Sequence, residues 1–271
     1  MKILAENSVP TSFAQSNDDY TSYTSLTGKC VFITGGATGI GAEMVRAFTQ
    51  QKAMVGFIDI DESAAHQLIE ELSAQGASTP WFRPNNVVNI DELKTIIQSF
   101  ATHHDRIDVL INNVANDSRF ATKEMSEADW LHCLQVNLNS AFFASQTVLP
   151  YMQSKQSGSI INFSSINAFI APRNMVGYNT AKAGLLGMTK SLANEFGADN
   201  IRVNALLPGW VATDKQLNSW FTEEEENRWT SNMALKKRLY PKHIANLALF
   251  LASDDSEMIT GQGLTIDGGR R

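Results

Sequence analysis

The sequence predicts an α/β fold: one domain built on a doubly wound parallel sheet with helices on both faces. Three observations carry that prediction. Short apolar and β-branched runs recur from residue 30 onward, with little of the polar alternation of a half-exposed strand. Between them lie longer stretches whose apolar residues return at helical spacing. No Gly/Pro/Ser-rich linker or repeat divides the series. Strands covered on both faces read as unbroken apolar runs, and strand–helix–strand order calls for right-handed crossovers on a parallel sheet.

Residues 1–26 are polar, rich in Ser, Thr, Asn and Asp, and show neither periodicity, so they are expected to form a flexible leader before a domain over 27–271. CVFIT (30–34) opens the sheet and a helix is predicted over 39–51. AMVGFI (53–58) is followed by a helix over 61–75, and the weaker strand WFRPN (81–85) by one over 90–102. VLIN (109–112) precedes a long helix over 127–155, and SIINF (159–163) precedes one over 176–197. After IRVNAL (201–206), Thr222 ahead of Glu223 to Glu226 reads as a capped helix start, because acidic side chains favour a helix N-terminus. That helix, about 222–233, is a candidate lid. A helix over 241–252 and the strand GLTI (263–266) complete the chain.

Composition removes several classes of function. The 271 residues are 43% hydrophobic and 18% charged, which suits a large core, and the net charge of −6 lacks the basic excess of a phosphate-backbone binder. No nucleic-acid partner is expected. Cys30 and Cys133 are the two cysteines, far apart and beside apolar residues, so they read as buried thiols. No stretch reaches the roughly 18–20 apolar residues of a membrane span, and the N-terminus has no secretory apolar core. No membrane partner and a cytoplasmic location are expected. No histidine pair has metal-ligand spacing with nearby Cys or carboxylates, so no metal is expected.

The first strand runs into Thr34-Gly35-Gly36-Ala37-Thr38-Gly39-Ile40-Gly41, with a helical pattern directly behind. Glycines let a diphosphate approach the backbone, and the helix start offers unpaired N–H groups. The spacing is G-x-x-x-G-x-G rather than G-x-G-x-x-G. Asp59 stands at the tip of the second strand, 18 residues after Gly41, near the offset at which a carboxylate meets a ribose 2′-hydroxyl. A 2′-phosphate there would be repelled, and no Arg or Lys occurs in 35–43 or 59–63. NAD is therefore the expected cofactor. The competing role for Asp59, capping the next helix, is open equally to Asp61 and Ser63.

Tyr178 and Lys182 stand four residues apart on the helix over 176–197, so they share a face, and Ser165 lies 13 residues before Tyr178. A tyrosine, ordinarily titrating near 10, serves as a base near neutrality only if a cation stabilises its phenolate. A lysine one turn along meets that need, and a serine hydroxyl can orient the reacting oxygen.

With these motifs the sequence resembles the short-chain dehydrogenase/reductase family over nearly all of 28–269. The matching strings are TGGATGIG (34–41), Asp59, NNVA (112–115), Asn137, Ser165, YNTAK (178–182) and PGWVAT (208–213). The resemblance implies a Rossmann-type fold, Tyr178 as general base, Lys182 lowering its pKa and holding the nicotinamide ribose, and Ser165 on the substrate oxygen. It implies that Asn137 sustains a proton path through water to Lys182. It implies cofactor contacts from Gly35, Thr38, Gly39, Ile40 and Gly41, from Asp59 and Ile60, and from Asn86 and Val87 after the third strand. Asn113, Val114 and Ala115 after the fourth strand and Pro208, Gly209, Val211 and Thr213 after the sixth complete that set. Ala115 replaces the family's usual glycine, and Asn86 replaces the usual aspartate that meets the adenine. Homotetramers are usual in the family and are expected here.

The loops that would meet substrate are polar: Asn116, Asp117 and Arg119 after strand four, Asn167 past Ser165, and Trp210 with Asp214, Lys215 and Gln216 after strand six. Amides and guanidinium groups suit a polyhydroxylated small molecule. NDSRF, GWVATDKQ and the stretch from Tyr240 to Gln262 resemble the aldose 1-dehydrogenase branch, which implies hydride transfer from C1 of a cyclic sugar to NAD with a lactone as product. Asn116, Arg119, Ser165, Asn167, Tyr178 and Trp210 are the expected sugar contacts. Two other readings stand beside this one: an NAD(H)-dependent enzyme for a polyol or 3-oxoacyl thioester, and a nucleotide-binding regulator without turnover.

Overall fold

Apolar side chains on successive strand residues point to opposite faces, and burying both faces requires helices on both. In the computed structural model, which describes residues 20–219 and 222–270, seven parallel strands do this. They are β1 (Cys30–Thr34), β2 (Met54–Asp59), β3 (Trp81–Pro84), β4 (Val109–Asn112), β5 (Gly158–Phe163), β6 (Ile201–Pro208) and β7 (Gly263–Ile266). Their order across the sheet is β3-β2-β1-β4-β5-β6-β7. Val31 and Ile33 of β1 face a core shared with Met44, Phe48, Leu68, Leu72 and Leu249. Cys30 and Phe32 face the opposite core, with Leu93, Ile97, Phe100, Val148 and Met152.

The first core is roofed by α1 (Gly39–Gln50), α2 (Glu62–Ala74) and α10 (Pro241–Ala252). The second is roofed by α3 (Ile90–His104), α5 (Ser140–Lys155) and α7 (Val176–Phe196). The long helix expected over 127–155 is divided: α4 (Glu127–Leu134) and α5 are joined by a π turn at Gln135–Asn139, where the Ser140 N–H reaches back to the Gln135 carbonyl. Single π turns of this kind concentrate at functional sites. Three further short helices, α6 (Asn167–Ile170), α8 (Asp214–Ser219) and α9 (Glu223–Ser231), gather over the strand C-terminal ends. The first two were not predicted. Thr222 caps α9 as expected, its side chain accepting from the Glu225 N–H.

The leader expected over 1–26 needs correction at its end. Leu26 is fully buried, and Tyr20 and Tyr23 pack against the first core. The Tyr20 hydroxyl donates to Glu43 at 2.7 Å, and the Tyr23 N–H donates to the Gln51 side chain at 2.8 Å. Three large side chains at a spacing of three outweigh the polar residues between them. The rest of that expectation, residues 1–19, lies outside the described residues. At the other end, residues 268–270 pair with 233–235: Ala234 and Leu235 donate to the carbonyls of Gly269 and Gly268, and Met233 bridges Arg270.

Candidate active site

Strand order reverses between β1 and β4, and in an open parallel sheet ligands settle beyond the strand ends at such a reversal. A cleft of about 1390 Å³ opens there. Every residue expected from the sequence to touch cofactor or substrate lines it, and of the catalytic set only Asn137 lies behind the wall.

The loop from β1 to α1 forms one end. Gly35 sits at φ +72°, a conformation that side chains disfavour, and its N–H bonds the Ile58 carbonyl at 2.8 Å. A Cβ on Gly41 would lie 1.7 Å from the Gly35 carbonyl oxygen, so only glycine lets the helix start this close to the loop. Asn113 braces the same turn from β4, donating to the carbonyls of Gly35 at 2.8 Å and Thr34 at 3.2 Å. α2, α3 and α4 are capped by Asp61, Asn89 and Ser126, whereas Thr38 makes no capping bond to α1, whose first turn holds no acid. Free N–H groups and an unopposed positive helix end facing a cleft fit a diphosphate. Asp59, at the tip of β2, accepts from the N–H groups of Ala37 at 2.9 Å and Asp61 at 3.1 Å, which fixes the carboxylate on the wall. Asp61, and not Asp59, caps α2. A dinucleotide with its ribose near Asp59 fits this donor set. Asn86 is exposed, its carbonyl taking the Val88 N–H at 3.3 Å, while neighbouring Asn85 is buried with both side-chain atoms unmet among the described residues.

Tyr178, Lys182 and Ser165 meet in the middle of the cleft. Ser165 follows β5 and is hydrogen-bonded to Tyr178; its oxygen also accepts the Asn167 N–H at 3.1 Å. Lys182 is 1% exposed, donates to the Phe163 carbonyl at 2.6 Å, and stands 5.5 Å from the Tyr178 ring centroid. Burial pushes the Tyr178 phenol well above its ordinary value of 10, and Asp117 adds to the rise, while the bond to Ser165 works the other way. Burial likewise takes the Lys182 ammonium from 10.5 down to about 7. The protein alone therefore does not give the lowered tyrosine pKa that the resemblance implies, because the lysine's own charge is disfavoured by the same burial. Asn137, in the π turn, accepts the Asn116 N–H at 2.9 Å and donates to the Asn116 carbonyl at 3.0 Å. Its side chain anchors the loop after β4.

The far end of the cleft is crossed by contacts that sequence reasoning missed. Lys215 bonds Asp117 at 2.9 Å, Gln216 bonds it at 3.2 Å, and Trp210 donates to Gln216 at 2.7 Å. Burial opposes the Asp117 charge, yet Lys215 and Gln216 hold its carboxyl below the usual range. Trp229 meets Trp210 edge to face at 5.3 Å, and Arg270 stacks over Trp229 at 4.1 Å. Residues as much as about a hundred positions apart come together here, and no local pattern announces that. Asn116 and Asn167 line this end, but the Asn116 side-chain Oδ1 already accepts from the Ser118 N–H and hydroxyl. Among the described residues no three His, Cys, Asp or Glu side chains gather as a metal site, and no helix is long and apolar enough to cross a membrane.

Comparison with known proteins bears on this geometry. A family profile described as enoyl-(acyl carrier protein) reductase matches residues 35–271. The chain is 41% identical over 244 residues to a protein of Rhizobium meliloti described as a probable galactose dehydrogenase, covering 90% of this chain and 95% of that one. It is 41% identical over 249 residues to a D-xylose 1-dehydrogenase of Caulobacter vibrioides, covering 92% and 98%. The solved structure of a mutant short-chain dehydrogenase/reductase from Serratia marcescens superposes with a TM-score of 0.83 at 29% identity, over 90% of this chain and 98% of that one.

Proposed function

We propose that this chain, which belongs to the short-chain dehydrogenase/reductase family, oxidises a cyclic aldose at C1 with NAD and releases the lactone. The observation that carries the reading is the meeting of Ser165, Tyr178 and Lys182 in one cleft with an uncapped helix N-terminus. Its two sugar-dehydrogenase relatives at 41% identity support the choice of substrate. When bound, the nicotinamide dinucleotide supplies the hydride acceptor. Ser165 holds the C1 oxygen, and Tyr178, once its phenol has given up its own proton with a charged Lys182 beside it, takes the hydroxyl proton on the phenolate oxygen. Lys182, pinned to the Phe163 carbonyl, keeps a cation beside the phenol whenever it carries its proton. Asn137 fixes the loop that faces the substrate, through both backbone groups of Asn116.

NAD is preferred because the cleft near Asp59 holds no cation to meet a 2′-phosphate. The described cations on the wall, Arg119, Lys182, Lys215, Arg228 and Arg270, belong to other segments. The family assembles through its equivalent helices, and a homotetramer in the cytoplasm is our reading for this chain. A relative in Chlamydia pneumoniae described as a 3-oxoacyl-[acyl-carrier-protein] reductase, 37% identical over 244 residues, supports one alternative, a 3-oxoacyl thioester reductase. Following NADH formation from a panel of aldoses and polyols, and NADH consumption with 3-oxoacyl thioesters, separates the readings. Turnover of aldoses alone is expected. Clear thioester turnover with no sugar oxidised would refute the assignment, and silence on every substrate would favour a binding-only protein.

A further inference from the structure

Arg270 is a charged group on the cleft wall whose needs the fold does not meet. Its Nε and Nη1 are buried and find no hydrogen-bond acceptor among the described residues. One face stacks on Trp229 at 4.1 Å, which offsets only part of the loss of water. Two other cations at this end are balanced: Arg228 is paired with Glu225 at 2.9 Å and Lys215 with Asp117 at 2.9 Å. Among the described residues no carboxylate stands within ion-pair distance of Arg270. Asp267, three residues before it, accepts the Gly269 N–H on its Oδ1.

The position is rigid. Gly268 and Gly269 turn at φ +69° and +71°, and their carbonyls are fixed by Leu235 and Ala234. Trp229 is held edge-on by Trp210, which Gln216 and then Asp117 hold from across the cleft. Buried charges in proteins are paired, and a guanidinium matches a carboxylate or phosphate better than any neutral group.

We propose that Arg270 forms an anion subsite in the substrate half of the cleft, so that the aldose oxidised at C1 carries a carboxylate or a phosphate at its far end. The proposal rests on the C1 oxidation assigned above and narrows its substrate to an acidic sugar.

Calorimetric titration of the full chain with NADH present, using D-galactose, D-galacturonate and D-galactose 6-phosphate, tests it. At least one anion is expected to bind roughly tenfold or more tightly than galactose. Preference for galacturonate identifies a carboxylate partner, and preference for the 6-phosphate a phosphate. R270Q is expected to bring the affinity ratio to about one, and R270K to retain part of it, since a lysine keeps charge without the planar fork. The wild-type ratio is decisive even if the variants do not fold. Equal affinity for all three sugars, or an equal loss for all three in R270Q, would overturn the subsite. Oxidation of neutral aldoses with no preference for anions defeats the subsite alone. Thioester turnover with no sugar bound defeats the reaction assignment as well.

Discussion

Single residues carry the chemistry, and their surroundings set when they can act. Asp59 is held on the cleft wall by two backbone N–H groups, so its charge is fixed at the point proposed to meet the ribose of a dinucleotide. Asp59→Ala is expected to raise the NADP/NAD ratio of kcat/KM by roughly tenfold or more, because a charged hydrogen bond worth about 1.5–3 kcal/mol is lost and a repulsion removed. An unchanged ratio would show that the carboxylate does not read the ribose. Lys182 gives a second test through pH. Its folded value near 7 lies below the ordinary 10.5, so between these values the unfolded chain binds more protons and stability rises with pH. Below 7 both states are protonated and the full burial cost remains. The urea midpoint of the wild type should gain on that of Lys182→Met from pH 7 to 10, with a flat difference below 7; a constant difference throughout would mean that the lysine titrates normally. Much of this scale was legible beforehand, because Y-x-x-x-K and the glycine loop are local patterns. The raised tyrosine was not legible, since desolvation depends on what buries Tyr178, including Cys133 from α4.

At the scale of elements, spacing and packing decide whether the loop and helix can meet. α1 begins against the β1 turn with no room for a methyl group at Gly41. Gly41→Ala is expected to cost about 1–3 kcal/mol, the usual penalty for forced overpacking, and to weaken dinucleotide binding as the helix start moves away from the loop. Denaturant unfolding and cofactor titration check both; unaltered binding would mean that the turn relaxes without moving α1. Strands were the most legible elements, and VLIN and GLTI agree with their observed spans residue for residue. α6 and α8 escaped notice because six residues or fewer leave no apolar period to read. The Asp117–Gln216–Trp210 crossing escaped for another reason: Asp117 stands 99 residues before Gln216, and only the fold brings them together.

Over the whole molecule, one sheet holds every part of the cleft. β1, β4, β5 and β6 each deliver a piece of it, so the chain cannot be cut between Gly35 and Thr213 without dividing the site. Leu26 shows that the fold begins before the first strand. Its fully buried side chain belongs to the core beneath α1 and α10, and Leu26→Ala is expected to cost about 2–5 kcal/mol in urea unfolding. A loss under half a kcal/mol, on the order of a surface substitution, would return that segment to the status of a leader. Composition misjudged it because a few anchoring side chains among polar neighbours lower the average without loosening the attachment. The π turn at Gln135–Asn139 bears on the whole assembly in a different way. It is an odd tooth in a gear: removing one residue from it would turn α4 by about 100° relative to α5. Cys133 would rotate away from Tyr178, and the Asn137 side chain away from the loop it anchors. The part of this long helix that braces the cleft and the part that faces the core are therefore kept in phase by a single extra residue, and a length change there would disturb the cleft while sparing the sheet.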